Sequence, residues 1–274
     1  MSTSETIDQR TFQKFCELIY DKAGIKLGPQ KEALVSARVS KRMRSLEICD
    51  FDEYYQYVER DETGGELVEL LNAISTNVTH FFRESRHFEL LGPMVQCWEA
   101  QGQNRFRIWC AASSTGEEPY SIAITLRESL EDLRDVKILA TDLSTNVLAV
   151  AREGIYEQKH IENLPKGVIA KHFTAQRHSS MEKVYCVHDE LKRMITFARL
   201  NLAHPPFPMS GPFDVIFCRN VVIYFDKQTQ RTLFDRFAEI LAPDGWLFIG
   251  HSESLFRVTE RFRLVGRTIH RRTR

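Results

Sequence analysis

Charged and amide side chains follow four of the apolar, strand-like runs of this 274-residue sequence. Ligands of an open α/β sheet bind at the carboxyl ends of its strands, so these side chains are the first candidates for a site. Glu117 and Glu118 follow the run RFRIWCAA, and Asp142 ends the run VKILATD. The third and fourth runs, RMITFARLNL and FDVIFCRNVVIYF, bring the remaining candidates, which are Asn201, Leu202, Arg219 and Asn220. A fifth strand-like run is GWLFIGHSE.

The turn after the first run, AASSTGEEP, indicates a ligand that carries a positive charge. It contains one glycine, Gly116, and lacks the G-x-G-x-x-G pattern that lets a backbone approach a pyrophosphate. Its adjacent carboxylates, Glu117 and Glu118, would repel a diphosphate but suit the sulfonium and ammonium groups of S-adenosylmethionine. Asp142 is then placed to accept hydrogen bonds from the ribose hydroxyls of that cofactor.

Plainer interpretations of the same residues stay open. Glu117 and Glu118 also favour the N-terminus of the helix that follows them, next to Pro119. Asp142 could be the N-cap of the helix that begins in DLSTNVLAVA, although Ser144 can fill that role instead.

A second polar cluster, STNVTHFFRES at residues 75–85, lies between the helical and the strand-rich parts of the sequence. Its hydrogen-bonding side chains Asn77, Thr79 and Arg83 flank two phenylalanines. Such a stretch is more often a polar linker and a helix start, and we assign His80 to the helix start or the surface. Its position between two domains favours a function, because clefts form there.

The helical and strand-like patterns of the segments that must position these residues predict an α/β fold with a second, helical domain. Residues 1–75 show helical periodicity throughout, and a linker with a connecting helix is expected at 76–104. From residue 105 to 274, apolar runs alternate with helical stretches, which is typical of a doubly wound, mostly parallel sheet. RFRLVGRTIHRR predicts a C-terminal antiparallel hairpin, and residues 155–192 approximately predict an inserted small β-subdomain.

Composition excludes several classes of protein. Lys plus Arg and Asp plus Glu both number 37, so the basic excess of a nucleic-acid-binding protein is missing. No apolar run approaches the ~20 residues that a membrane-spanning helix needs, and MSTSETIDQR is polar, so we expect it not to act as a signal peptide. The six cysteines are scattered, without metal-ligand spacing. We expect a cytoplasmic monomer with no metal and no membrane insertion.

The segments NVTHFFRE, AASSTGEEPYSIA and FDVIFCRNVVIYFD together resemble the chemotaxis receptor methyltransferases of the CheR family. The resemblance covers nearly the whole chain and implies the fold of S-adenosylmethionine-dependent methyltransferases. It implies methyl transfer to glutamate side chains of chemoreceptors, with a methyl ester and S-adenosylhomocysteine as products. By motif position, the resemblance implies nine cofactor-binding residues: Asn77, Thr79, Arg83, Glu118, Asp142, Asn201, Leu202, Arg219 and Asn220.

The resemblance also implies residues for catalysis and for the partner. Tyr224 matches a family tyrosine near the reacting centre, and Arg83 either orients the substrate carboxylate or holds the carboxylate of the cofactor. The implied partners are the cytoplasmic domains of transmembrane chemoreceptors, whose methylated helices are rich in glutamate. A basic helix could dock on them through a continuous positive strip made of Arg38, Lys41, Arg42 and Arg44. A solvated helix face is the alternative.

Other functions remain as alternatives. A glutamate acceptor, with a pKa of about 4.3, needs no general base, and the sequence shows no evident histidine–acid pair. A non-catalytic receptor-binding module would show damaged cofactor motifs, whereas all three segments are intact. A methyltransferase for nucleic acids or small molecules is disfavoured, because CRNVVIYF lacks the Asn/Asp-Pro-Pro-aromatic motif of amino-methylating enzymes.

The run RHSSMEKVYCVH has no glycine, which argues against a strand that grips a receptor peptide.

Overall fold

The computed structural model describes residues 6–177 and 183–273. Four helices come first and pack around a core of their own, which includes Phe15, Val39, Tyr54 and Leu70. A fifth helix leads into the sheet. Their bounds are α1 (Gln9–Ala23), α2 (Glu32–Ser45), α3 (Phe51–Arg60), α4 (Gly65–Ile74) and α5 (Arg86–Ala100).

Local signals in the sequence explain where these helices begin and end. The side chain of Asp8 caps α1 by accepting hydrogen bonds from the backbone N–H groups of Arg10 and Thr11. Helix α1 ends at Gly24, whose φ of 67° is left-handed, as a glycine stop predicts. Asp50 caps α3 in the same way as Asp8 caps α1. Pro29–Lys31 form a 3-10 turn directly before helix α2.

The main sheet has seven strands in the order β6-β2-β1-β7-β8-β10-β9. Strands β1, β2, β6, β7 and β8 run parallel, and β9 and β10 form the predicted C-terminal antiparallel hairpin. The bounds are β1 (Phe106–Cys110), β2 (Val136–Asp142), β6 (Ile195–Arg199), β7 (Phe213–Cys218), β8 (Leu241–Ile249), β9 (Phe262–Gly266) and β10 (Ile269–Arg272). The strand order reverses between β1 and β7, which is where such sheets bind ligands.

Helices cover both faces of the sheet, as the doubly wound class requires. Strand β1 shows the pattern: Ile108 and Cys110 belong to one core cluster, whereas Trp109 belongs to the other. Both faces are therefore buried, which explains why the sequence of β1 is almost continuously apolar. The helices that follow strands are α6 (Glu117–Ser129), α7 (Thr145–Glu153) and α11 (Lys227–Ile240).

The predicted β-subdomain is present as a separate three-stranded antiparallel sheet in the order β3-β5-β4. Its elements are β3 (Ile155–Glu157), α8 (Gln158–Ile161), α9 (Lys166–His172), β4 (Phe173–Arg177), β5 (Lys183–Val187) and α10 (Asp189–Lys192). Residues 178–182 of the glycine-free run RHSSMEKVYCVH lie outside the described residues.

Two strand predictions need correction. The run FDVIFCRNVVIYF is not one strand, because β7 ends at Cys218 and Val222–Tyr224 form a 3-10 turn. The chain bends at Asn220, whose φ of 59° is left-handed and ends the extended conformation. Strand β8 begins at Leu241, several residues before the predicted GWLFIGHSE, so it follows α11 without a loop.

The helical domain packs directly against the sheet domain. The N–H of Lys26 donates to the carbonyl of Tyr224 at 2.8 Å, and a Cβ at Gly24 would clash with the Cβ of Ala203. The amide of Asn72 bonds both the backbone N–H and the hydroxyl of Thr145 at 3.1 Å, at the start of α7. None of the described helices combines the length and the apolarity that crossing a bilayer would require.

Candidate functional site

A cleft of about 1200 Å³, its open mouth included, lies at the carboxyl ends of β1, β2, β6 and β7. The helical domain supplies the opposite wall through residues between α1 and α2 and after α4. The cleft therefore lies both at the reversal of strand order and between two domains. All ten predicted cofactor and catalytic residues line it: Asn77, Thr79, Arg83, Glu118, Asp142, Asn201, Leu202, Arg219, Asn220 and Tyr224.

Asp142, at the end of β2, is held in a fixed orientation by the backbone. Its two carboxylate oxygens accept hydrogen bonds from the N–H groups of Ser114, at 2.8 Å, and Ser144, at 3.0 Å. Ser144 is the N-cap of α7, since its hydroxyl accepts from the N–H of Val147. The capping role therefore belongs to Ser144, and Asp142 faces the cleft. Burial raises the pKa of Asp142, while the backbone hydrogen bonds act in the opposite direction.

The two carboxylates of the GEE turn face in different directions. Glu117 lies outside the cleft, where its Oε2 accepts from the hydroxyl of Thr115 at 2.6 Å and its Oε1 lies 3.4 Å from Nδ1 of His160. Glu118 faces the cleft, and its Oε2 forms a buried ion pair with Nη1 of Arg219 at 2.7 Å. Only one of the two predicted acidic groups can therefore contact a ligand in the cleft.

Arg219 is fully buried and shared between two carboxylates. Its Nη1 contacts Glu118, and its Nη2 lies 3.1 Å from Oε2 of Glu84 and donates to the carbonyl of Arg83. Two carboxylates therefore share one guanidinium at the edge of the cleft. Burial raises the pKa of Glu118, and Arg219 opposes that rise. For Glu84, the hydrogen bond from His251 and the charge of Arg219 outweigh burial, so its pKa is lowered.

The segment NVTHFFRES forms one side of the cleft. Arg83 is half-buried, and its Nη1 donates to the carbonyl of Val78 at 2.9 Å. His80 is exposed, in agreement with its assignment to the surface. Asn201, on the opposite side, is already engaged by the protein: its amide donates to the carbonyl of Lys22 at 2.7 Å and accepts from Ala203. Asn201 thus joins the two domains as well as lining the cleft.

The loop after β7 owes its shape to a buried carboxylate. Oε2 of Glu253 accepts from the backbone N–H groups of Asn220 at 3.0 Å and Gly250 at 2.6 Å. Its Oε1 accepts from those of Val221 and Val222, both at 2.9 Å. This carboxylate therefore fixes the bend that brings Asn220 and the following 3-10 turn, which carries Tyr224, to the cleft.

Comparison with known proteins agrees with this geometry. The model "CheR methyltransferase, all-alpha domain" matches residues 10–75, and "CheR methyltransferase, SAM binding domain" matches residues 77–271. The chain belongs to the CheR methyltransferase family. It is 41% identical over 260 residues to the chemotaxis protein methyltransferase of Escherichia coli (strain K12), covering 94% of this chain and 89% of that protein. The same identity and length relate it to chemotaxis protein methyltransferase 2 of Pseudomonas aeruginosa, covering 94% and 91%.

As a member of the CheR family, the chain is an S-adenosylmethionine-dependent methyltransferase, and its cleft fits that cofactor. Asp142 presents a carboxylate at the end of β2, the kind of position at which such sheets bind a ribose. Leu143, Leu200 and Leu202 add apolar side chains to the lining, and Glu118 adds an acidic one.

The sequence did not point to several residues of the CheR cleft. Lys26, Lys31 and Leu34 form part of the wall from the helical domain, and only tertiary packing brings them there. Glu253 shapes the cleft without lining it. It follows β8, so the tendency of polar residues at strand ends to form the site also points to it.

The predicted docking strip on α2 is not continuous. Arg38 turns toward the C-terminus of α4, where its Nη1 donates to the carbonyls of Ile74 and Ser75. Arg42 forms a bidentate ion pair with the buried Glu66, at 2.9 and 2.6 Å. Residues 38 and 42 share a helix face that packs against α4, whereas Lys41 and Arg44 are exposed. The prediction of one strip of four is therefore wrong in this respect.

Proposed function

We propose that this CheR-family chain transfers the methyl group of S-adenosylmethionine to glutamate side chains of chemoreceptors, as a cytoplasmic monomer. The main observation that supports this proposal is that all ten residues implied by the family resemblance line one cleft, at the reversal of strand order. The names of the relatives from E. coli and P. aeruginosa support the receptor as the acceptor. S-adenosylmethionine supplies an activated methyl group on a sulfonium, and the products are a glutamate methyl ester and S-adenosylhomocysteine.

We assign the cofactor-binding residues by their placement. Asp142 holds the ribose, and Glu118, itself held by Arg219, faces the charged end of the cofactor. The other lining side chains complete the pocket: Asn77, Thr79, Asn201, Leu202 and Asn220. The network of buried ion pairs around Arg219 preorganises this end, so that the site does not have to rearrange when the cofactor enters.

For this reaction, the protein mainly has to position the glutamate oxygen and the methyl group of the cofactor relative to each other. A glutamate side chain has a pKa of about 4.3 and is already ionised at neutral pH, so methylation of its oxygen requires no general base. The attacking oxygen must approach the methyl carbon at about 3–3.5 Å, in line with the bond that breaks. Arg83 is the available cleft guanidinium for a carboxylate, since Arg219 is committed to Glu118 and Glu84. Tyr224 also lines the cleft, and we assign it to the border of the reacting centre.

Receptor docking falls to residues 1–75 and, on α2, to Lys41 and Arg44. Both side chains are exposed, and at a spacing of three residues they lie on one side of the helix. A glutamate-rich receptor helix would meet this positive surface, which increases the rate of encounter more than the final affinity. Arg38 and Arg42 contribute to the field but hold α4 in place through their own contacts.

The reaction is tested by incubating the protein with labelled S-adenosylmethionine and receptor-containing membranes. We expect label in the receptor that is released by mild base, because an ester hydrolyses under conditions that leave N-methyl groups intact. Base-stable label would identify a nitrogen acceptor instead. The absence of label, together with normal binding of S-adenosylhomocysteine, would leave a receptor-binding module without turnover.

Docking is tested separately by reversing the two exposed charges in K41E/R44E. We expect weaker receptor methylation, mainly through KM, with unchanged affinity for S-adenosylhomocysteine. The matched control K137E/K166E reverses two exposed lysines elsewhere and should methylate receptors normally. Equal loss in both double variants would show a general effect of net charge. Unchanged methylation by K41E/R44E would remove α2 from the docking surface.

A further inference from the structure

Glu84, His87 and His251 form a cluster of metal-ligand type beside the cofactor cleft. Glu84 and His87 stand three residues apart at the start of α5, and His251 follows the end of β8. One ligand atom from each side chain can be chosen so that all three atoms lie within 4.8 Å of one another. Oε2 of Glu84 lies 3.8 Å from Nδ1 of His87 and 3.7 Å from Nε2 of His251. These residues are not among those that line the cleft.

The hydrogen bonds of His87 direct a lone pair at Glu84. Nε2 of His87 lies 3.1 Å from the hydroxyl oxygen of Thr268, and that hydroxyl donates its own proton to the carbonyl of Arg267. The hydroxyl must therefore accept from Nε2–H, so Nδ1 carries the lone pair in the neutral ring. His87 is completely buried, and its Nδ1 finds no hydrogen-bond partner among the described residues.

Glu84 is held in an equally specific way. Its Oε1 accepts from the backbone N–H of His251 at 3.1 Å, which fixes the carboxylate against the loop after β8. Its Oε2 is buried and accepts no hydrogen bond within the described part of the chain, although Arg219 lies 3.1 Å away as an ion pair. A buried carboxylate oxygen and a buried imidazole lone pair thus face each other with no proton between them. Arg219 offsets the charge of the carboxylate, but the lone pair of His87 lacks a donor, and a cation between the two atoms would satisfy it.

We propose that Glu84, His87 and His251 bind a divalent transition-metal ion, with Zn²⁺ the best match. Two imidazole nitrogens and one carboxylate oxygen are ligands that Zn²⁺ takes at about 2.0–2.2 Å, often with water in the fourth position. Tetrahedral ligands at that distance lie roughly 3.3 Å apart, so the two separations from Oε2 of Glu84 must contract by about 0.5 Å. The two histidine nitrogens, which lie within 4.8 Å of each other, must also approach each other as the ion binds. His251 is partly exposed and can close on an ion that enters from solvent.

The surroundings supply the second set of contacts that metal sites require. Thr268 bonds the far nitrogen of His87, and the backbone of His251 together with Arg219 supports the carboxylate of Glu84. Metal-bound imidazoles and carboxylates are usually oriented by such partners. Arg219 would keep its pair with Glu118 when Glu84 binds the ion. The ion would therefore brace the wall of the cofactor cleft without taking part in methyl transfer.

The site is tested with the full chain, which carries no affinity tag and from which a chelator has removed any bound metal ion. We expect isothermal titration with Zn²⁺ to give one equivalent of binding, and Co²⁺ to give the intense visible absorption of a low-coordinate site. E84Q and H251N should each weaken Zn²⁺ binding by more than the ~10- to 100-fold that loss of an outer partner costs. H204N, which removes another exposed histidine, should bind Zn²⁺ like the native chain.

The outcomes are decisive in either direction. One equivalent of Zn²⁺, weakened in both variants and kept in the control, establishes the site. No uptake by the native chain overturns the proposal, as does native-like binding by E84Q or H251N. Each protein is melted without metal beforehand, so that a misfolded variant is recognised and replaced by H251Q or E84A. No cofactor or receptor is present, so the result is independent of the proposed methyl transfer.

Discussion

Replacing Glu253 by glutamine should disrupt the cleft more than any other single-atom change. The native carboxylate is 7% exposed and accepts four backbone hydrogen bonds, two at each oxygen. A glutamine has one oxygen and one NH₂ group. Whichever way the amide points, two backbone N–H groups lose their acceptor and face another donor.

The size of the effect follows from those two groups. Leaving a buried donor unsatisfied costs about 1–3 kcal/mol, so E253Q should lower the free energy of unfolding by roughly 2–6 kcal/mol. The bend at Asn220 should loosen at the same time, because three of the four N–H groups belong to residues 220–222. Binding of S-adenosylhomocysteine should therefore weaken together with stability.

Urea denaturation and isothermal titration with S-adenosylhomocysteine measure the two effects. The control E260Q makes the same exchange at an exposed position and should change neither quantity. A loss of less than about 0.5 kcal/mol in E253Q, with native affinity for the product, would refute the role given to this carboxylate. Lost stability with native affinity would confine that role to folding.

Three further predictions concern the cleft and the pH dependence of stability. D142N should weaken binding of S-adenosylhomocysteine by roughly 10- to 100-fold, because hydrogen bonds to a charged group contribute about 1.5–3 kcal/mol. R83K keeps the charge but removes the planar fork, and we expect kcat/KM to fall by about 10-fold. Burial lowers the pKa of His270 from 6.5 to about 4. The unfolded chain therefore binds the proton first, and stability present above pH 6.5 is lost as the pH falls toward 4.

Each of these has its own control. Native affinity in D142N would remove Asp142 from the ribose site. For R83K, an effect on receptor KM alone assigns Arg83 to the substrate, an effect on product affinity assigns it to the cofactor, and no effect rejects both roles. For His270, the urea midpoint is compared at pH 7 and pH 5 in the native chain and in H270Q. The variant should lose on the order of 1–2 kcal/mol less on acidification, and an equal loss would contradict the assignment.

The sequence was sufficient for the fold class and for most of the cleft, for a physical reason. Parallel strands buried on both faces must be apolar throughout, so runs such as RFRIWCAA show where they lie. Polar residues that end such runs then meet at one edge of the sheet. Asp142 and Arg219 were identified in this way, and the structure places both in the cleft.

Tertiary packing alone decided how neighbouring side chains divide their roles. Adjacent glutamates at a helix start face different elements, so Glu118 pairs with Arg219 while Glu117 meets the inserted subdomain. Four basic residues on one helix look equivalent in sequence, but Arg42 pairs with Glu66, a buried carboxylate of α4, whereas Lys41 and Arg44 are exposed.

No local pattern in the sequence predicts the contacts between distant segments. Glu84 and His251 come from opposite ends of the sheet domain and meet only because α5 packs beside the end of β8. The same holds for Glu253 and the loop that it shapes after β7. Periodicity and capping report on neighbours within a few residues, so the sequence by itself determined the elements and the edge where the site lies. Long-range packing determined which charges are paired, which remain available, and where a second site can form.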